Sequence, residues 1–240
     1  MGPPLLELRA APFFRGFMID FVYKSRNLLV VCKPASIPSQ SDLTGDEDAL
    51  TMAKNKLLSL GEPSDLWLVH RLDRVVGGLL VFARNKSTAA KLSEMVGGRG
   101  IEKEYLAIVE GSVEGGLLRD YIFKDSKLSK AFVVSGARRG AKEASLEYTP
   151  IAERETEKGI YTLIRVKLHT GRFHQIRVQF ASRNHSLVGD GKYGSRDNKA
   201  KLPALFAFRL SFTANGEKVN TEKLPDTNEY PWSLFKDSIK

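Results

Sequence analysis

Apolar positions in this chain gather into short blocks rather than long helical stripes. The block at 27–32, Asn-Leu-Leu-Val-Val-Cys, is unbroken. Pro34 and Pro38 follow it, which predicts a buried strand running into an extended segment. The run 77–84, Gly-Gly-Leu-Leu-Val-Phe-Ala-Arg, predicts a second buried strand. Residues 103–111 alternate well enough for a third, and further strands are expected at about 117–123, 131–134, 143–151, 160–168 and 205–213. Helical spacing is confined to three places. Residues 45–61 form an expected helix that is acidic at its start and stops near Gly61. Residues 85–98 form another, with Asn85 as N-cap and Gly97 as its stop. A third is expected to open near Thr170, with Phe173, Ile176 and Phe180 as its apolar stripe.

Consecutive strands with helices between them predict an α+β fold with a mostly antiparallel sheet. Beside the third helix's stripe lies Arg177, one turn after Phe173, where it should be partly buried and require an acceptor. Residues 1–20 read as an extension, and the end of the chain as a polar tail. No repeat, low-complexity tract or shift in composition marks a domain boundary.

Composition sharpens this picture in two respects. The chain has 240 residues and a net charge of +9, which favours a polyanionic partner, nucleic acid first and an anionic membrane surface second. A single cysteine, Cys32, excludes an internal disulfide and reads as a thiol buried in the first strand. No apolar segment is long enough to span a membrane, and the start of the chain lacks the layout of a signal peptide. The expected compartment is the cytoplasm.

The candidate chemistry centres on Leu68–Lys86, where Asp73 stands between Arg71 and Arg74 and directly after His70 and Leu72. A kinase catalytic loop is excluded. The leucine breaks the His-Arg-Asp spacing, no glycine-rich nucleotide loop precedes it and no Asp-Phe-Gly follows. A zinc site is not supported either, since the four histidines lack partners at ligand spacing. Taken alone, Asp73 is a turn residue in a local ion pair. Two further segments change that: 102–111 offers Tyr105 on a strand, and 169–194 offers Arg177, a buried cation lacking its acid. An acid, a phenol and a guanidinium could therefore meet across a cleft.

Leu68–Lys86 resembles the signature of the RluA-type pseudouridine synthases: His-Arg-Leu-Asp, two variable residues, then often Thr-Ser-Gly and an apolar strand. Three other segments resemble the same family in the expected order: Leu-Leu-Val-Val-Cys-Lys-Pro at 28–34, Lys-Glu-Tyr-Leu-Ala-Ile-Val-Glu-Gly at 103–111, and 170–194 from Thr-Gly-Arg-Phe-His-Gln-Ile-Arg onward. The strand at 205–213 resembles its closing strand. The resemblance covers roughly residues 20 to 215. This chain departs from the pattern in having Val76-Gly77-Gly78 in place of Thr-Ser-Gly, and Phe173 where a smaller or polar residue often stands.

The resemblance implies an enzyme that isomerises uridine to pseudouridine in ribosomal or transfer RNA, without cofactor or metal. Asp73 would be the essential carboxylate, Arg177 its partner, and Tyr105 the ring that stacks on the target base. Arg71 would fill the space left by the flipped base. Arg74, Lys103, Arg172, His174 and the loop carrying Arg138, Arg139 and Lys142 would contact RNA phosphates. The expected fold is a mixed, mainly antiparallel sheet with flanking helices and a central basic cleft. A catalytic domain at 21–240 is expected, with no S4-type RNA-binding module, acting as a monomer with RNA as its partner. The alternative is a non-catalytic RNA-binding or chaperone protein on the same fold. A hydrolase that uses Asp73 and releases free uracil is a third reading.

Overall fold

The sheet is covered on both faces, which is why its central strands read as unbroken apolar runs. In the computed structural model, which describes residues 19–240 apart from 99, 137 and 138, strand β2 (Leu28–Lys33) sends Leu29 and Val31 into one core and Leu28 and Val30 into another. Strand β4 (Gly77–Ala83) divides likewise, with Leu80 and Phe82 on the first side and Leu79 and Val81 on the second. Helix α1 (Ala49–Ser59) and helix α3 (Gln175–Ala181) contribute to the first core, and helix α2 (Lys86–Gly97) to the second. None of the helices among the described residues is long and apolar enough to cross a membrane.

The other strands are β1 (Asp20–Lys24), β3 (Trp67–Leu68), β5 (Glu102–Glu110), β6 (Gly116–Asp125), β7 (Lys130–Val134), β8 (Ala141–Thr156), β9 (Gly159–Leu168), β10 (Leu205–Ala214) and β11 (Glu217–Glu222). Their order in the sheet is β1-β2-β4-β10-β5-β9-β8-β6-β7, with β11 on β10 and β3 on β4. Every pairing is antiparallel except β4 with β10, so the expected α+β class and mainly antiparallel sheet are what the chain adopts. That one parallel junction is short, Phe206 opposite Gly77 and Ala207 opposite Gly78, and it lies just after the turn that carries Asp73. Gly78 has φ of +118°, and a Cβ there would lie 2.3 Å from the carbonyl oxygen of Ala207. Only glycine lets the two strands meet.

The cap predicted for the second helix is present, and the first helix has one that was not singled out from sequence. Asn85 caps α2 by accepting from the Thr88 amide, and Asp48 caps α1 by accepting from the Thr51 amide. Three expectations are corrected. Helix α1 has no acid in its first turn, because Asp46 precedes it and is bound to Arg74. Helix α3 opens at Gln175, not Thr170, so Phe173 lies outside it and packs near Val178 and Tyr193, away from Ile176 and Phe180. Cys32 is only half-buried, and the fully buried side chain is its neighbour Lys33.

Three strands escaped the sequence reading, among them the two-residue β3. Strand β1 begins at the edge of the expected extension, most of which (1–18) lies outside the described residues. Strand β11 lies in the expected polar tail, which also buries Phe235 and Ile239. Its one apolar residue, Val219, gives no periodicity. The signal that could have found it is Asn215-Gly216, a dipeptide with both φ angles positive that turns β10 back on itself.

Gly78→Ala should lose about 3 kcal/mol or more of stability, because both the collision and the φ angle oppose a side chain. Chemical denaturation of the purified variant checks this. Gly97→Ala, where a Cβ meets nothing within 4 Å, should change stability little.

Candidate active site

Three anchors hold the turn that carries Asp73. Ser39 clamps the preceding residue from both ends: its hydroxyl donates to the Leu72 carbonyl (2.9 Å) and accepts from the Leu72 amide (3.0 Å). Lys33 holds the following residue. Its buried ammonium donates to the carbonyls of Pro34 (2.8 Å), Ile37 (2.6 Å) and Arg74 (3.3 Å), which together use all three of its hydrogens. Burial pulls that ammonium down to about 7, and the nearby Asp73 charge works the other way. The third anchor is the Val76 amide, which donates to the Asp73 carbonyl (3.0 Å) and closes the turn. The Thr and Ser hydroxyls of the usual pattern are therefore not needed here. Val76 is instead buried in the core. Neither Ser39 nor Lys33 was singled out from sequence. A lysine ending an apolar strand before proline was the available signal.

Arg177 is buried on α3, as expected, but its main partner is not Asp73. Its Nε and Nη2 donate to the two oxygens of Asp190 at 2.7 and 2.8 Å, a bidentate pair in which Asp190 is almost fully buried. Its remaining nitrogen, Nη1, reaches Asp73 Oδ2 at 3.4 Å. Asp190 was missed because it lies thirteen positions further on in a loop, between two glycines. The Asp73 carboxyl is pushed above the ordinary carboxylate range by burial. Arg177 opposes this, and the neighbouring Asp190 charge adds to it. No donor among the described residues reaches Oδ1 of Asp73, so one oxygen is held and the other is free.

Asp73 and Arg177 line a cleft of about 1020 Å³ together with Tyr105 of β5. Tyr105 is 6% exposed, and burial, then the Asp73 charge, raise its phenol so that it stays protonated at neutral pH. The acid, phenol and guanidinium singled out from sequence thus share one cleft. Lys103, Arg71, Arg74 and Arg172 also line it. Lys103 and Arg71 have no ion-pair partner among the described residues, and burial lowers the Lys103 ammonium. Arg74 is differently placed. Its guanidinium is bound by Asp42, Asp46 and Thr44, so an RNA phosphate would have to displace an internal partner. Arg172 donates to the Glu143 carbonyl. His174 is the residue just before α3, at its N-terminal end. It is buried, and its Nε2 lies 3.7 Å from Asp73 Oδ2. His70 is buried as well, and its Nε2 accepts from the Val81 amide. Arg138 lies outside the described residues, and Arg139 is exposed in the β7–β8 turn, away from the residues lining the cleft. No group of metal-ligating side chains occurs among the described residues.

The family model for RNA pseudouridylate synthase matches residues 27–182, which include Asp73, Tyr105 and Arg177. The chain belongs to the RNA pseudouridylate synthase family. It is 35% identical over 190 residues to an uncharacterized RNA pseudouridine synthase of Aquifex aeolicus, covering 75% of this chain and 57% of that protein. Two named relatives place it in the RluA-type branch. Ribosomal large subunit pseudouridine synthase D of Borreliella burgdorferi is 31% identical over 76% of this chain and 57% of its own length. tRNA pseudouridine synthase C of Vibrio parahaemolyticus is 28% identical over 88% of this chain and 87% of its own length. The chain spans about three fifths of the length of the first curated relatives it matches. The pseudouridine synthase fold is also seen in the solved structure of human RNA Pseudouridylate Synthase Domain Containing 1. That structure has a TM-score of 0.73 and 23% identity, with 87% of this chain and 84% of that chain covered.

Within this site the two carboxylates should respond oppositely to neutralisation. Asp190→Asn leaves the Arg177 guanidinium without its bidentate partner and should cost about 3–5 kcal/mol. Asp73→Asn should not destabilise, and at pH 7 should stabilise slightly. Because the folded carboxyl titrates above its unfolded value, the ionised form is disfavoured in the native state. That penalty is complete above the folded value and vanishes below the unfolded value of about 4. Denaturant melts of both variants at pH 7 and pH 4 check the sign.

Proposed function

We propose that this chain is an RNA pseudouridine synthase that isomerises uridine in ribosomal or transfer RNA, with residues 21–240 as its catalytic domain. The observation that carries the reading is the asymmetric fixing of Asp73. Oδ2 faces Arg177 while Oδ1 is left free in the same cleft as Tyr105. The reaction breaks the N1–C1′ bond, turns the uracil and joins C5 to C1′. The C5 proton is lost and N1 gains one, so atoms and electrons balance without a cofactor. Asp73 acts ionised, and Arg177 lowers the cost of that charge in a site that must stay dry to keep the detached uracil from water.

Tyr105 suits stacking on the base better than proton abstraction as a phenolate, since its phenol is held neutral. The target base leaves its stack at a cost of a few kcal/mol. Arg71, exposed beside Asp73 and unpaired among the described residues, is placed to fill the gap. Lys103, mostly buried without an anion, offers its charge to a backbone phosphate. On this reading the cleft is a basic RNA groove, and the protein works as a monomer in the cytoplasm.

Purified protein should form pseudouridine at defined positions when incubated with ribosomal or transfer RNA transcripts, and Asp73→Asn should form none above background. Retained isomerisation in Asp73→Asn, or RNA binding without isomerisation in the wild type, would overturn the proposal. Lys103→Ala should weaken RNA binding by about tenfold and reduce the slope of log affinity against log salt by about one. Filter binding across a salt series checks it.

A further inference from the structure

The ring of His174 stands between two groups that fix its hydrogens. On one side, Tyr193 Oη lies 2.8 Å from His174 Nδ1. That oxygen already accepts from the Ala131 amide at 2.8 Å. Tyr193 is buried, and no other acceptor among the described residues is within reach of its hydroxyl hydrogen. The phenol therefore donates to Nδ1. A neutral imidazole that accepts at Nδ1 carries its hydrogen on Nε2. On the other side, Nε2 lies 3.7 Å from Asp73 Oδ2, the oxygen that Arg177 also approaches. The nitrogen that carries the hydrogen is thus the one nearer the carboxylate.

The surroundings build this arrangement deliberately. Residue 174 adopts φ of 53°, a left-handed conformation that a non-glycine residue enters at a cost, and one that recurs at functional sites. The Phe173 ring stacks on the imidazole at 3.8 Å with 20° between planes, which fixes its orientation. The charged groups that face it are Asp73 and the cations Arg177, Lys192 and Lys124. Burial first, then those cations, hold the imidazole down at about 3, so it is a neutral donor throughout the working pH range.

We propose that His174 is a positioning residue for the isomerisation: locked by Tyr193 in the Nε2–H form, it donates to Asp73 Oδ2 and, with Arg177, aims the free Oδ1 at the nucleoside. The role differs from the phosphate contact expected at this position, and it rests on the isomerase reading given above. The separation of 3.7 Å closes to a hydrogen bond when the cleft tightens around a bound nucleotide.

The test has one arm that does not use activity. Nitrogen-15 NMR of the full chain should show His174 neutral from pH 5 to 8, with Nδ1 bare and Nε2 protonated. Tyr193→Phe, which removes the donor to Nδ1, should populate the second tautomer. The activity arm compares His174→Gln, whose amide can reach the position of Nε2, with His174→Leu. The leucine variant should lose about a hundredfold in kcat with KM changed less than threefold, and the glutamine variant should recover about tenfold of that loss. An Nδ1-protonated ring, or a leucine variant with wild-type kcat, or a loss confined to KM, would overturn the proposal. Should the wild type show no isomerisation while the NMR result holds, the isomerase reading fails and the tautomer assignment stands.

Discussion

The structure around the cleft depends on how one buried guanidinium is neutralised. Arg177 is almost fully enclosed on a short helix, and a cation there is tolerable only with matched acceptors. Asp190 supplies both of its oxygens and settles that requirement alone. Of the N–H donors that remain, it is one on Nη1 that Asp73 meets. Asp73 is therefore not the structural partner of the arginine. It receives partial compensation, enough to bias an enclosed carboxyl toward ionisation without quenching it, and it remains a poised charge on a well-anchored turn.

The turn itself shows the same division of labour. Ser39 and Lys33 hold the backbone on either side of Asp73, so the side chain is free of any part in keeping the turn together. A fold that fixed the acid through its own carboxylate would spend the group it needs for chemistry. Below the turn, the β4–β10 junction imposes a second constraint. The two strands meet so closely that Gly78 is obligatory, and the approach sets the turn at the end of β4 next to β5 and Tyr105.

Much of this was legible in the sequence. Long or repeated apolar blocks gave the central strands, and a side-chain cap gave the start of the second helix. The trio of Asp73, Tyr105 and Arg177 was legible by resemblance, and the buried Arg177 also by its place beside an apolar stripe. What stayed hidden follows a physical pattern. β11 has one apolar side chain and is held by pairing with β10, which hydropathy does not register. Asp190, Ser39 and Lys33 act through hydrogen bonds to other segments or to backbone carbonyls, and no local period announces those. Arg74 looked like an RNA contact by position, yet it spends its charge on Asp42 and Asp46. His174 was expected at the start of a helix opening near Thr170, and the helix begins just after it.

The central claim is that Asp73 is an enclosed, incompletely compensated carboxylate whose affinity for its proton is set by burial against Arg177. The most direct measurement is the carbon-13 NMR titration of the Asp73 carboxyl in the full chain, assigned by its loss in Asp73→Asn. The account predicts a midpoint above the ordinary carboxylate value of about 3.9. A midpoint at or below that value would contradict it, and would mean that Arg177 is the full ion-pair partner of Asp73 rather than that of Asp190.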